Sequence, residues 1–305
     1  MIVVCVALLV GAIVIFPFVL ERQRLEMDDM ARADAPGALI ELGRGITHYR
    51  IFGQGEAPLV VCIHGLTTPC FVFEAIAKMY VEKGYRVLTY DHYGRGYSDR
   101  PKGLQNRNFF VSHLEELLLA LGEEGNFDLI GYSMGGWIAT AYAADHPKRV
   151  NRLILLAPAG MGTNIGWSGK IARNFYLIGD WLFMAGFAAS HRRDTQKDRV
   201  KRSYVDFVVD RQQRELIYRG FLPSVLSSLR GTLSLSTGSD HNALRASQSD
   251  VLAIWGQEDD VIPLSCRDKM SKWNENAKHI VIPGADHGLT YTHVPEIMVA
   301  INQPG

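Results

Sequence analysis

The amino-acid sequence predicts an α/β protein: a mostly parallel central sheet, helices on both of its faces, and a helical insertion late in the chain. Three observations predict it. Short apolar runs bounded by Gly, Pro or Asp recur along the chain, as suits strands buried on both faces. Stretches with helical spacing alternate with these runs, and strand–helix alternation builds parallel sheets. Between Gly160 and Gln248 the alternation stops and only helical spacing remains.

The first element is an exception to this plan. Residues Ile2 to Leu20 carry no charged side chain and are all apolar apart from Gly11 and Pro17. As a helix they would span roughly 28 Å, the thickness of a bilayer's hydrocarbon core. A secretory signal would need a positive start, a shorter apolar core and a small-residue cleavage site. No Lys or Arg precedes this run and it ends in the bulky Phe16-Pro17-Phe18-Val19-Leu20, so the expectation is an uncleaved single-pass membrane anchor over residues 1–20. Arg22, Arg24 and Arg32 favour a cytoplasmic body. The interleaved Glu21, Glu26, Asp28 and Asp29 leave a periplasmic or luminal one open.

Residues 21–38 read as a polar linker closing at Pro36-Gly37, and 39–53 as an antiparallel pair leading into the sheet. Strand runs follow at Leu59–Ile63, Val87–Tyr90, Phe127–Ile130, Leu153–Leu156, Val251–Trp255 and His279–Ile282. Helical patterns lie between and after them, at Phe71–Lys83, Phe109–Glu124, Met134–His146, Leu264–Asn276 and Leu289–Ile301. Within the insertion, three segments show the spacing of helices. They are Ile171/Phe175/Ile178/Leu182, Val200/Tyr204/Phe207/Val208, and Leu216–Leu229 with interruptions at Gly220 and Pro223. The predicted organisation is a core of 39–159 and 249–305 with a helical insertion of 160–248, the segment that the resemblance given below makes a cap.

Composition narrows the function. With 32 basic and 32 acidic residues the net charge is zero, which argues against a nucleic-acid partner. Cys5, Cys62, Cys70 and Cys266 form no C-x-x-C pair, so neither a disulfide scaffold nor a cysteine zinc site is expected. Neither a glycine-rich phosphate loop nor a metal requirement is evident, and no cofactor is expected.

The chemistry concentrates after the strands. Gly131-Tyr132-Ser133-Met134-Gly135-Gly136 fits G-x-S-x-G, follows a strand run and opens a helix. Such a turn holds its serine exposed in a strained conformation, and the small flanking residues let it close. A serine needs a base. His287, in Gly284-Ala285-Asp286-His287-Gly288 directly after the last strand, is the candidate, on the same sheet edge as Ser133. A carboxylate must orient the imidazole. Asp259 is preferred after the Val251–Trp255 strand, with Asp260 the alternate; Glu258 and Asp286 read as solvated loop carboxylates. A tetrahedral intermediate needs two amide donors. Met134 and Leu66 are assigned to that oxyanion hole, the latter in His64-Gly65-Leu66-Thr67, where His64 reads as a loop brace.

These residues carry a resemblance. His64-Gly65-Leu66, the segment Asp91-His92-Tyr93-Gly94-Arg95-Gly96-Tyr97-Ser98-Asp99, the elbow at Ser133, Trp255-Gly256-x-x-Asp259 and Gly284-x-x-His287 together resemble the α/β-hydrolase superfamily, of the esterase, lipase and haloperoxidase-like type, over roughly residues 40–303. The resemblance implies the α/β-hydrolase fold, the acid at Asp259, and a cap over the site. Tyr93 stands where the family usually has arginine. Epoxide hydrolases and haloalkane dehalogenases of the family place an Asp at the elbow, so Ser133 counts against both.

What remains is acyl chemistry, and the expectation is a serine hydrolase of carboxylic esters, with lipid-derived monoesters such as monoacylglycerols favoured. The alternatives are a carbon–carbon bond hydrolase or a cofactor-free perhydrolase on the same residues, and a hydrolase-like binding protein without turnover. The cap is rich in aromatic residues; Trp181 and Phe183 are assigned to the substrate pocket. A basic stretch, His191 to Arg202, is expected either as a solvated helix face or as a surface attracted to anionic lipid.

Overall fold

The apolar runs form one sheet of eight strands: β1 (Ala38–Leu42), β2 (Gly45–Phe52), β3 (Leu59–Ile63), β4 (Arg86–Tyr90), β5 (Phe127–Tyr132), β6 (Val150–Leu156), β7 (Asp250–Gly256) and β8 (Lys278–Ile282). The computed structural model describes residues 1–162 and 164–303. The sheet order is β1-β2-β4-β3-β5-β6-β7-β8. The β1–β2 and β2–β4 pairings are antiparallel, and every pairing from β4 onward is parallel. Every residue of β3 is buried, and successive residues face opposite layers: Val61 and Ile63 join one core, Val60 and Cys62 the other.

The helices in chain order are α1 (Ile2–Arg22), α2 (Asp29–Arg32), α3 (Glu74–Glu82), α4 (Arg107–Ala120), α5 (Met134–Asp145), α6 (Gly166–Asn174), α7 (Ile178–Gln196), α8 (Val208–Arg214), α9 (Phe221–Arg230), α10 (Gly238–Ala246), α11 (Ser265–Trp273), α12 (Leu289–Thr292) and α13 (Val294–Asn302). α4, α5, α10 and α11 bury apolar residues in one layer of the sheet, α3 and α13 in the other.

Within the insertion the structure departs from expectation in four places. The spacing from Ile171 to Leu182 predicts one helix, but the chain breaks after Asn174, where Leu177 has a φ of +61°, giving α6 and α7. Of the expected second segment only a 3₁₀ turn at Lys197–Val200 and the start of α8 form; Phe207, at φ +52°, stops any earlier helix. In the third, Gly220 makes the break at φ +91°, while Pro223 falls in the first turn of α9, where a missing N–H costs nothing. Finally, α10 packs against α5 and α11 and buries Leu244 in the sheet's core, so the cap ends near residue 235 rather than 248. Helical periodicity shows that a face is buried, not which body buries it.

α1 is long and apolar enough to cross a bilayer, with a mean hydropathy of 3.1 over its most apolar window. Most of its surface is exposed; Pro17 and Glu21 are buried, and it packs on α7. The following segment, expected as a free polar linker, is docked instead. Glu21 accepts the Gly220 N–H at 2.7 Å. Leu25 pairs through its main chain with Ile217 (3.0 Å) and Arg219 (2.7 Å). Arg32 is bound to Asp99, and His48 to the Pro36 carbonyl. Polarity reads as a linker in sequence, but here the polar groups are hydrogen-bonding partners for the body.

Candidate active site

Ser133 sits between β5 and α5 with φ +54° and ψ −116°. Non-glycine residues rarely adopt positive φ, and such strain concentrates at functional turns. Close packing enforces the turn. A Cβ at Gly135 would strike the Ile63 and His64 carbonyls, and one at Gly131 would strike the Gly135 carbonyl. The strained turn lifts the hydroxyl above the sheet edge.

His287, in the loop after β8, meets that hydroxyl: its Nε2 lies 3.0 Å from Ser133 Oγ. Its Nδ1 lies 2.8 Å from Asp259 Oδ2. The other Asp259 oxygen accepts the Val261 and Ile262 amides at 2.9 and 2.8 Å, which holds the carboxylate in one orientation. It is therefore Asp259 rather than Asp260 that reaches the imidazole; Asp260 is exposed at the cavity wall. Tyr132 adds a support that sequence reasoning missed: its hydroxyl donates to the His287 carbonyl at 2.8 Å. Its only signal in the sequence is its place beside the serine.

Both assigned residues lie close to Ser133: Met134 follows it in the chain and Leu66 lines the same cavity. Met134 is the first residue of α5, where an N–H has no carbonyl a turn behind it. Gly65, beside Leu66, packs closely on the serine: a Cβ there would sit 3.3 Å from the Ser133 Cβ and 3.4 Å from the Tyr132 ring. His64 braces this loop. Its Nε2 accepts the His92 amide at 2.9 Å, its Nδ1 lies 2.8 Å from the Gly65 carbonyl, and burial lowers its pKa to about 4, so it stays neutral. Arg95, fully buried, donates to the Leu66 carbonyl at 3.0 Å and to Ser228 of α9 at 2.8 Å, joining the Leu66 loop to the cap. Tyr93 takes no part: it donates to the Gly45 carbonyl and stacks on His113.

Ser133 and His287 open into a cavity of about 820 Å³ roofed by α6, α7 and α9. Its wall changes along α7. Leu182, Phe183 and Phe187, with Ile165 and Leu229, make one part apolar. Asp194, Lys197, Asp198 and Lys201, with Asp286, make the other charged. Phe183 lines the cavity. Trp181 does not: its indole N–H donates to the Ile13 carbonyl of α1 at 3.1 Å. The reason is Pro17. Proline has no N–H, so the carbonyl four residues earlier in α1 is left without its helical partner, and the indole supplies one. Half of the six Lys and Arg residues of the basic stretch are ion-paired, through Lys197–Asp194, Arg199–Asp210 and Lys201 with Asp198 and Asp286.

Among the described residues, His48, Cys70 and Asp91 form the one group whose donor atoms lie close enough to hold a metal ion, all within 4.8 Å. They are already committed. His48 Nδ1 lies 2.7 Å from Asp91 Oδ2 and its Nε2 meets the Pro36 carbonyl, while Asp91 also accepts the Cys70 and Tyr97 amides.

Residues 58–294 match the family model described as the alpha/beta hydrolase fold. A 2-hydroxymuconate semialdehyde hydrolase of Pseudomonas sp. (strain CF600) is 32% identical over 216 residues, 69% of this chain and 73% of that protein. Among solved structures, the bromoperoxidase from Bacillus anthracis superposes with a TM-score of 0.71 at 21% identity, over 87% of this chain and 99% of that one. A membrane phospholipase A described as a bacterial virulence factor superposes at 0.67 and 18% identity, over 99% of this chain and 96% of that one.

Proposed function

The chain belongs to the α/β-hydrolase family, and from that premise we propose that it is a membrane-anchored serine hydrolase that cleaves carboxylic esters, lipid-derived monoesters first. The observation that carries this reading is the unbroken line from Ser133 through His287 to Asp259 at the floor of a cavity with an apolar roof.

Ser133 Oγ attacks the ester carbonyl while His287 Nε2 takes its proton. Asp259 holds the imidazole in the tautomer that can accept it and stabilises the imidazolium. The Met134 and Leu66 amides receive the oxyanion. His287 then protonates the leaving alcohol, and water attacks the acyl-enzyme by the same route in reverse. The acyl chain lies along Phe183 and Phe187, where each buried methylene contributes about 0.8 kcal/mol. The alcohol lies toward the charged part of the wall. There both lysines are paired with aspartates, so the wall favours a neutral, hydroxyl-bearing alcohol over an anion.

A second reading keeps the same residues and cleaves a carbon–carbon bond. It is favoured by the 32% identity to the 2-hydroxymuconate semialdehyde hydrolase. The paired lysines count against it, because a ring-fission substrate carries a carboxylate that needs an uncommitted cation.

The deciding experiment is a panel of p-nitrophenyl esters from acetate to palmitate, monoacylglycerols and a ring-fission dienoate, with fluorophosphonate labelling of Ser133 alongside. Medium-chain esters and monoacylglycerols should lead, and Phe183→Ala should move the chain-length optimum. Turnover of the dienoate above every ester would establish the second reading. A chain that neither labels nor turns over any of them would be a binding protein.

A further inference from the structure

Five of the large apolar residues that the cap leaves exposed gather on α6 and on the bend into α7. Trp167, Phe175, Tyr176, Leu177 and Ile178 are each more than half exposed. Isolated exposed apolar residues are ordinary, but five large ones in twelve positions are not. The next residues along are Trp181 and its bond to α1.

That bond fixes where the patch lies. The Ile13 carbonyl is nine positions from Arg22, the end of α1. At 1.5 Å per residue this is about 13 Å along the helix, close to half the hydrocarbon thickness of a bilayer. A carbonyl without a partner at that depth is costly, because no water is there to bond it. Pro17 creates such a carbonyl and Trp181 of the cap satisfies it. The cap therefore meets α1 within the apolar length of the helix, not beyond its charged end.

We propose that the bend between α6 and α7 is a bilayer-docking surface: Trp167, Phe175 and Leu177–Ile178 enter the hydrocarbon beside α1, with Trp181 as the pin between them. The occupant is lipid. The proposal rests on α1 spanning a membrane, and it deepens the ester reading. The same two helices that carry the patch also wall the cavity, through Gly169 and Ala172 on α6 and Leu182 and Phe183 on α7. A lipid-borne ester thus reaches Ser133 from the membrane side of the cap without crossing bulk water.

The test uses the full-length chain in phosphatidylcholine vesicles. Cys5 is exposed while Cys62, Cys70 and Cys266 are buried, so a Cys5→Ser background accepts one environment-sensitive thiol label at a chosen site. Labels are placed at Ile178→Cys on the patch, at Val6→Cys in α1, and at the exposed Leu119→Cys of α4 as the aqueous control. Spin-labelled acyl chains should quench the first two and spare the third. Quenching at position 6 without quenching at 178 overturns the docking surface and leaves the anchor standing. Quenching at neither overturns both. In parallel, Trp167→Ser/Ile178→Ser should lower hydrolysis of vesicle-borne monoacylglycerol by about tenfold, because burial of apolar side chains in lipid drives the docking, and leave hydrolysis of soluble p-nitrophenyl butyrate unchanged. Equal loss on both substrates would show damage to the cap instead and overturn the route. Absence of turnover on either substrate would refute the ester reading, while the labels still decide the docking.

Discussion

Two histidine–aspartate pairs with nearly the same geometry sit in opposite surroundings in this molecule. His287 Nδ1 lies 2.8 Å from Asp259, and His48 Nδ1 lies 2.7 Å from Asp91. The difference is what the second ring nitrogen meets. For His287 it is Ser133 Oγ, at the floor of a large cavity, and the ring keeps 22% of its surface exposed. For His48 it is the Pro36 carbonyl, and the ring is 2% exposed. A carbonyl has no proton to give, and a sealed ring meets no substrate. The first pair can move a proton; the second can only hold one. His48 is a latch that fastens the segment after α1 to the sheet.

The largest expected effect separates the pairs outright. Ser133→Ala or His287→Ala should each remove ester turnover almost entirely, by about 10⁶ in kcat, since such residues act as a unit. His48→Ala should leave kcat nearly intact and lower the melting temperature. A His48→Ala protein that folds normally yet loses turnover would end the distinction.

Next come the carboxylates. Asp259→Asn should cost about 10⁴ in kcat by favouring the wrong imidazole tautomer, and Asp260→Asn should cost little. Reversed severities would move the acid to Asp260.

The latch predicts where the chain can be cut. Removing residues 1–20 keeps Glu21, Leu25, Arg32 and Pro36 on the body and should release a soluble, active protein. Removing 1–36 discards all four and takes away the Pro36 carbonyl from His48 Nε2 and the Arg32 guanidinium from Asp99, which should lower the melting temperature by about 5 °C or more. Equal stability of the two truncations would show that the segment is a tether after all.

The smallest effect is in pH. Burial opposes a charge on His48, but Asp91 outweighs it and raises the pKa. Its contribution to stability is complete below about pH 6.5 and is lost as pH rises through the raised value. The buried His64, His113 and His241 behave oppositely: burial lowers them to about 4, about 3 and about 4, so their contribution is complete above about pH 6.5 and is lost as pH falls toward those values. Melting temperatures across pH 4 to 9 should therefore fall at both ends, and His48→Gln should flatten the alkaline side alone. An unchanged alkaline limb would remove the charge from the latch.

Much of the molecule was legible in the residues. Buried parallel strands must be apolar along their whole length, so β3 to β8 announce themselves as runs. The turn at Ser133 admits only glycine-sized neighbours, so its chemistry is written locally as Gly131, Gly135 and Gly136. Asp259 and His287 stand directly after strands whose ends must converge on one edge. Long-range partners left no such mark. Nothing near Trp181 in the chain says that Pro17 would orphan a carbonyl for it to bond. Nothing in residues 21–38 says that His48, Asp99 and Gly220 wait for them. Periodicity could not tell that α10 packs on the sheet rather than on the cap. Sequence by itself determined the elements whose burial or backbone strain restricts the residue types allowed at each position. Tertiary structure decided which polar groups meet across the fold, because a hydrogen bond constrains two distant positions jointly and neither one alone.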